Sequence, residues 1–251
     1  MERPSLGIAT WNIHKGFSQF NRRLVVHELR DSLRELGADI VFLQEVQGLH
    51  QRHGLRHADW PEAPQHEFLA DEVWAASAYG RNVIYDHGHH GNAILSRHPI
   101  LASHNQDVTH LRFERRGLLH CSIAVPGLEQ ALHCVCVHLS LFARSRRWQM
   151  NALADQLETL IPPAAPLIVA GDFNDWGNRA GDQLARRLNL REAFGGHNGR
   201  PARSFPAALP LLRLDRIYVR GLAVEQCEAH HGTHWATLSD HAPLTAQLTA
   251  P

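Results

Sequence analysis

Residues 166–175 read PLIVAGDFND. Leu167, Ile168, Val169 and Ala170 form a short apolar run bounded by turn-forming residues, the pattern of a buried strand. Gly171 ends the run, and Asp172, Asn174 and Asp175 follow at once. On an extended chain a carboxylate and an amide two residues apart project to one side. A sheet edge presents oxygen ligands and hydrogen-bond partners to a metal-bound substrate in this way. Taken alone, the stretch reads more simply as a strand followed by an Asp/Asn turn, and the rest of the chain changes that.

The 251 residues, 44% of them hydrophobic, suffice for one large core and fit a single domain over 1–251. With 25 basic and 25 acidic side chains the formal charge is zero, so the electrostatic footprint of an obligate nucleic-acid binder is missing. No charged and apolar leader opens the chain, and no run approaches the roughly 18 apolar residues of a membrane span. The four cysteines, Cys121, Cys134, Cys136 and Cys227, lack zinc spacing and read as free thiols in a reducing cytoplasm. No obligate protein partner is expected. The 20 histidines cluster at 87–90 and 230–234, but without HExxH or paired Cys/His spacing they read mainly as exposed loop residues.

In order, strands and helices alternate. Residues 6–11 predict a strand. Asn21 is placed to cap a helix in which Leu24, Val25, Leu29, Leu33 and Leu36 recur at helical spacing, stopped by Gly37. DIVFLQEV (39–46) predicts a second buried strand with Glu45 near its end, where a carboxylate needs a cation, hydrogen bonds or exposure. A long surface loop is expected over 48–65 and a helix over 66–78, with Phe68, Leu69, Val73 and Trp74 inward. Paired strands 82–85 and 92–96 flank an HGHHG turn, and 118–125 with 131–138 form a hairpin across Pro126-Gly127. Residues 148–161 predict a helix with Met150, Leu153, Leu157 and Leu160 on one face, 182–190 a short helix, and 195–210 a loop. Residues 214–219 and 243–248 are the closing strands.

Asn12, Glu45, His138, Asp172, Asn174, Asp215, Asp240 and His241 all fall at strand ends, while strand interiors stay apolar. Such recurrence in one domain points to a shared site. Its carboxylate and amide oxygens suit a hard cation such as Mg²⁺ or Mn²⁺ better than zinc.

The set TWNIHKG, FLQEV, GNAILSR, ERRGLL, VHLSL, GDFND, LDRIYV and SDH, running from Trp11 to His241, resembles the endonuclease/exonuclease/phosphatase superfamily, the deoxyribonuclease I-like proteins. The resemblance implies an α/β fold, a four-layer α/β/β/α sandwich of two packed mixed sheets flanked by helices, with the site at one end of the sheets. It implies Mg²⁺- or Mn²⁺-dependent hydrolysis of a phosphate ester by in-line attack of water. It makes Glu45, Asn12 and Asp240 the metal residues. Asp172 then positions or deprotonates the water, and Asn174 holds the phosphate or the water. His241 contacts the phosphate with Asp215 fixing its tautomer, and His138 protonates the leaving oxygen. Arg116 is a candidate phosphate clamp, with Arg115 the alternative, and Asn92 faces either the site or a structural turn. Arg144, Arg146 and Arg147 suit either substrate phosphate or an exposed helix start.

The chain departs from the abasic-endonuclease branch at His14, where that branch carries an acid. The departure favours one-metal chemistry and weakens abasic-site repair, as does the expected lack of a basic N-terminal extension. A phosphodiesterase of nuclease type is the leading expectation. A phosphomonoesterase or a phospholipid-directed enzyme is the rival, its one mild apolar loop being PAALPLL (206–212), which buried packing would also explain. A non-catalytic binding module would need degraded strand-end residues, and these are intact.

Overall fold

The computed structural model describes residues 5–177, 180–195 and 199–250. In chain order the strands are β1 (Ser5–Asn12), β2 (Ile40–His50), β3 (Ala76–Tyr85), β4 (Gly88–Ser96), β5 (Ile100–Asp107) and β6 (Gly117–Ile123). They continue as β7 (Leu132–His138), β8 (Leu167–Asp172), β9 (Arg191–Glu192), β10 (Asp215–Arg220), β11 (Ala223–Ala229) and β12 (Leu244–Thr249). The helices are α1 (Val26–Glu35), α2 (Gln51–Arg56), α3 (Gln65–Ala70), α4 (Ala143–Leu160), α5 (Ala180–Arg187) and α6 (Thr233–Leu238).

Alternation of side chains along the central strands builds the layers. Ile8, Phe42 and Ile94 of one sheet meet Cys121, Cys134, Cys136, Ile168, Ala170 and Ile217 of the other in an inner core. Their neighbours point outward. Trp11, Val41 and Leu43 pack against Val25, Leu29 and Leu33 around α1, and Val135, Val137 and Val169 pack against Leu153 and Leu157 of α4 and Leu184 of α5. The result is the expected four-layer sandwich, with sheets ordered β11-β12-β1-β2-β4-β3 and β5-β6-β7-β8-β10-β9.

Each sheet has a parallel pair at its centre, β1 with β2 and β7 with β8, flanked by antiparallel partners. The C-terminal ends of the parallel strands therefore share an edge with the starts of β10 and β12. In register, His138 lies beside Asp172, and Asp215 lies beside Asp172 from the other side. Sequence positions 138, 172 and 215 thus become neighbours through topology alone.

Several local expectations are corrected. Asn21 is no cap: it sits at φ +54° in a 3-10 turn, and α1 begins after Val25 without a side-chain bond. Gly37 does stop that helix, at φ +64° with its N–H on Arg34 O. The helix expected over 66–78 ends at Ala70, because Asp71 is extended and Glu72 adopts φ +64°. Trp74 still packs inward, donating to Ala38 O at 3.0 Å. Strand β2 runs on to His50 and leads into α2, where a loop is expected. The turn near 87–91 is confined to Asp86 and His87, and Gly88–Gly91 belong to β4. Helix α4 starts five residues early, and Leu160 is exposed. Strands β5, β9 and β11 and helix α6 are not foreseen. The loop expected over 195–210 includes 196–198, outside the described residues. Among the described histidines only His104, His110, His231 and His234 are exposed, so most are half-buried in strands and turns rather than free in loops.

Candidate active site

At the shared edge a cleft of about 200 Å³ is walled by Asn12, Glu45, Arg116, His138, Asp172, Asn174, Asp240 and His241, with Leu141, Trp176, Phe205 and Leu214 completing its lining. Eight of the predicted site residues therefore meet in one pocket.

Asp172 forms its floor. The strand ends here, and Asn174 turns back at φ +47° so that its N–H donates to Asp172 Oδ1 at 2.9 Å, while its Nδ2 donates to Leu139 O at 2.9 Å. The turn and the site are the same object. Oδ2 accepts from Asn12 Nδ2 at 3.2 Å and faces His138 Nε2 at 3.6 Å and His241 Nε2 at 3.8 Å. Gly171 permits this approach: at φ +141°, any Cβ would lie 2.0 Å from Val137 O of β7.

His241 bonds Asp215 Oδ2 through Nδ1 at 2.8 Å, which turns Nε2 toward the pocket. Burial opposes a charge on this ring, but Asp215 and Asp172 override it and raise the imidazole well above its ordinary range. Burial also pushes Asp172 above the usual carboxylate range, partly offset by His241. His138 behaves oppositely, since burial and then Arg116 hold it well below the ordinary imidazole range. Of the two imidazoles, His241 is the one whose surroundings favour the charged form.

Glu45 reaches the pocket through a bulge between Leu43 and Val46, where β2 loses register with β4 and Glu45 takes φ +56°. Its Oε1 accepts from Asn12 Nδ2 at 3.4 Å, and Lys15 Nζ lies 3.2 Å from Oε2. Burial opposes ionisation, yet Lys15 above all, with His14, holds the carboxyl far below its usual range. His14 Nδ1 lies 3.3 Å from Asp240 Oδ1, so the residue standing in an acid's place pairs with an acid instead. Asp240 is lowered by that contact against its own burial, and His14 is raised by it. Left-handed φ at His14, Lys15, Glu45 and Asn174 stores about 1–3 kcal/mol of strain at each of these positions in or beside the site.

Two residue sets could hold a cation. Asp172, Asp215 and His241 place ligand atoms within 4.8 Å of one another, but the imidazole there already bridges two carboxylates, and a cation would have to displace its proton. Glu45 and Asp240 offer carboxylate oxygens whose charge Lys15 and His14 now balance, Asn12 adds a neutral amide oxygen, and this hard donor set fits Mg²⁺ or Mn²⁺.

Other predicted residues are less direct. Arg116 lines the pocket, whereas Arg115 is exposed outside it, and the Arg116 guanidinium is pinned by Leu139 O, Arg115 O and Glu114 Oε1. Asn92 does not reach the pocket. It is buried, and its Nδ2 donates to Gly117 O at 3.0 Å and Cys136 O at 3.3 Å, stapling one sheet to the other. Arg146 is buried on Ser140 O and Leu141 O, while Arg144 and Arg147 are exposed. Lys15 and Ser239 were missed. Ser239 Oγ donates to Asn12 O at 2.6 Å and accepts from His241 N at 3.2 Å, tying two site residues together. Lys15 lies within the NIHKG motif and Ser239 within SDH, so both are visible in the sequence as motif positions without an assigned role.

Comparison with known proteins agrees with this geometry. Residues 9–241 match the profile of the Endonuclease/Exonuclease/phosphatase family. Protein YbhP of Escherichia coli (strain K12) is 48% identical over 244 residues, covering 97% of this chain and 96% of its own. The Bacteroides thetaiotaomicron mannosyl-6-phosphatase superposes with a TM-score of 0.73 at 16% identity, over 97% of this chain and 99% of its own. D. rerio TDP2 complexed with single-strand DNA product superposes with a TM-score of 0.69 at 19% identity, over 98% and 99%. With two six-stranded sheets, a strand-end cleft and a profile match over nearly its full length, the chain belongs to the Endonuclease/Exonuclease/phosphatase family.

Proposed function

We propose that the chain hydrolyses a phosphodiester by in-line attack of water, dependent on Mg²⁺ or Mn²⁺. The observation that carries this reading is Asp172, a buried carboxylate locked by Asn174 and Asn12 with its second oxygen facing two imidazoles. A carboxylate raised by burial is suited to take a proton from water. Beside it, 3.8 Å from Oδ2, His241 turns Nε2 into the pocket toward a phosphate oxygen, held in that orientation by Asp215. His241, whose charged form Asp215 and Asp172 favour, is assigned to hold a phosphate oxygen, and a hydrogen-bonding role near the leaving oxygen falls to His138. Glu45, Asn12 and Asp240 would hold the cation, which when bound would neutralise phosphate charge.

A diester is favoured over a monoester by the charge of the wall. A monoester dianion calls for more positive charge than a diester monoanion, and Arg116 is already committed to Glu114. The apolar side chains Leu141, Trp176, Phe205 and Leu214 provide a surface for the second substituent. The structural neighbours, one named as a phosphatase and one bound to DNA product, share the fold at under 25% identity and do not select between these. We also assign a reducing, cytoplasmic setting, supported by buried free Cys121 and Cys136, whose thiols burial pushes up to about 12. Among the described residues no helix is long and apolar enough to cross a membrane.

The test is a substrate panel with the purified protein in Mg²⁺ or EDTA: bis-p-nitrophenyl phosphate, p-nitrophenyl phosphate, plasmid and single-stranded DNA, RNA, and phospholipid vesicles. The expected result is EDTA-sensitive cleavage of a diester at least about tenfold faster than the monoester. Monoester preference, or equal rates with and without metal, would overturn the reading.

A further inference from the structure

Beside the pocket, two loops push apolar side chains into solvent. Phe113, on the loop between β5 and β6, is 77% exposed, and Phe142, at the start of α4, is 50% exposed. Their rings meet edge to face, with centroids 6.0 Å apart and an interplanar angle of 87°. Next to Phe142 stands Leu141, exposed and also part of the pocket wall, and Trp148 follows on α4. Arg112, Arg115, Arg144 and Arg147 are interleaved with these residues, and all four are exposed.

The one acid in residues 110–116 and 141–148, Glu114, is turned inward. It accepts from Arg116 Nη2 at 3.1 Å, from Leu141 N at 2.9 Å and from Ser140 Oγ, which fixes the two loops to each other. On neighbouring segments Trp176 is exposed, and so are Leu209 and Leu211 of the 206–212 loop, where buried packing was expected. Phe205, which leads into that loop, lies in the pocket wall. The mouth of a polar cleft is thus bordered by apolar knobs, with basic charge on one side.

Exposed aromatic and leucine side chains alternating with arginines match the interface of an anionic bilayer, where apolar groups enter the acyl boundary and cations meet headgroup phosphates. Single-stranded nucleic acid fits less well. Leucines have no face on which a base can stack, and the two phenylalanine rings are mutually perpendicular. Resting on the phosphodiester reading above, we propose that this surface docks on an anionic lipid bilayer and brings the cleft to the phosphoester of a lipid headgroup.

The test is co-sedimentation of the full chain with phosphatidylcholine vesicles, with and without phosphatidylglycerol. The parent is expected to sediment with the anionic vesicles at least about tenfold better than with the neutral ones, and added salt should weaken binding. The double variants Phe113→Ser with Phe142→Ser, and Arg112→Glu with Arg147→Glu, should each lose that binding while keeping the parent's melting temperature, because all four side chains are exposed. Asp172→Asn is run alongside, so that failure of catalysis leaves the docking result readable. Three results would overturn the proposal: no dependence on phosphatidylglycerol, binding unchanged in both double variants, or single-stranded DNA bound more tightly than vesicles through the same residues.

Discussion

Asp172 concentrates the chemistry in one side chain, and its replacement separates catalysis from folding. Asp172→Asn keeps the shape and the bond from Asn174 N, and removes the base. The expected loss is roughly 10²–10⁴-fold in kcat with a near-parental melting temperature, read by initial rates on a diester and by circular dichroism. Asn92→Ala should do the reverse. It cuts a staple between sheets, so stability should fall by about 1–3 kcal/mol in urea denaturation while KM stays unchanged. Away from the site, burial pushes Glu192 up to about 7 from an ordinary 4.5. The folded state therefore keeps this proton to higher pH than the unfolded chain does. The resulting stability is full below about pH 4.5, declines as pH rises toward 7, and is absent above. Glu192→Gln should flatten that decline when denaturation midpoints are compared at pH 5 and pH 8. Asp172, Glu45 and His241 were legible in sequence because a polar residue closing an apolar strand costs free energy unless a site uses it. Lys15 and Asn92 show the limit of that logic, since whether such a side chain faces a pocket or a second sheet depends on register that no local pattern encodes.

Strands β7 and β8 carry the site at their parallel ends, and Gly171 allows them to pair closely there. Gly171→Ala would drive a Cβ against Val137 O and force alanine into a backbone region it rarely adopts. A loss of roughly 3 kcal/mol or more is expected, measured by chemical denaturation. The central strands were readable because both faces are buried and the runs are continuously apolar. Strand β5 escaped notice for the opposite reason: ILASHNQD is an edge strand, largely exposed, without alternation to mark it. Helix α3 was overextended because Val73 and Trp74 continue a helical period while their backbone has already left the helix. Packing keeps the side chains inward in either conformation, so periodicity cannot separate them. Glu45 depends on a bulge, a register break that appears only when β2 is paired with β4.

Across the whole molecule, the first and last described strands lie side by side, β1 paired with β12 from Ser5–Thr249 to Thr10–Leu244. The inner core draws residues from Leu6 to Leu248. Such closure should give one cooperative unfolding transition, seen as coincident midpoints by fluorescence and circular dichroism; two separated transitions would divide the chain into independent units. The same closure assembles the site, because Asn12, Asp172 and His241 come from the two ends and the middle of the sequence. That assembly was foreseeable from the order of the motifs, whereas the exposed collar at the cleft was not, since exposure of a leucine or phenylalanine is a property of the finished surface. The measurement that bears most directly on the account is Mg²⁺-dependent release of p-nitrophenol from bis-p-nitrophenyl phosphate by the parent, Glu45→Gln and Asp172→Asn. Catalysis at this cleft predicts saturable metal dependence in the parent, a weakened metal response in Glu45→Gln, and near loss of turnover in Asp172→Asn, with all three folded. Parental rates in both variants would contradict it.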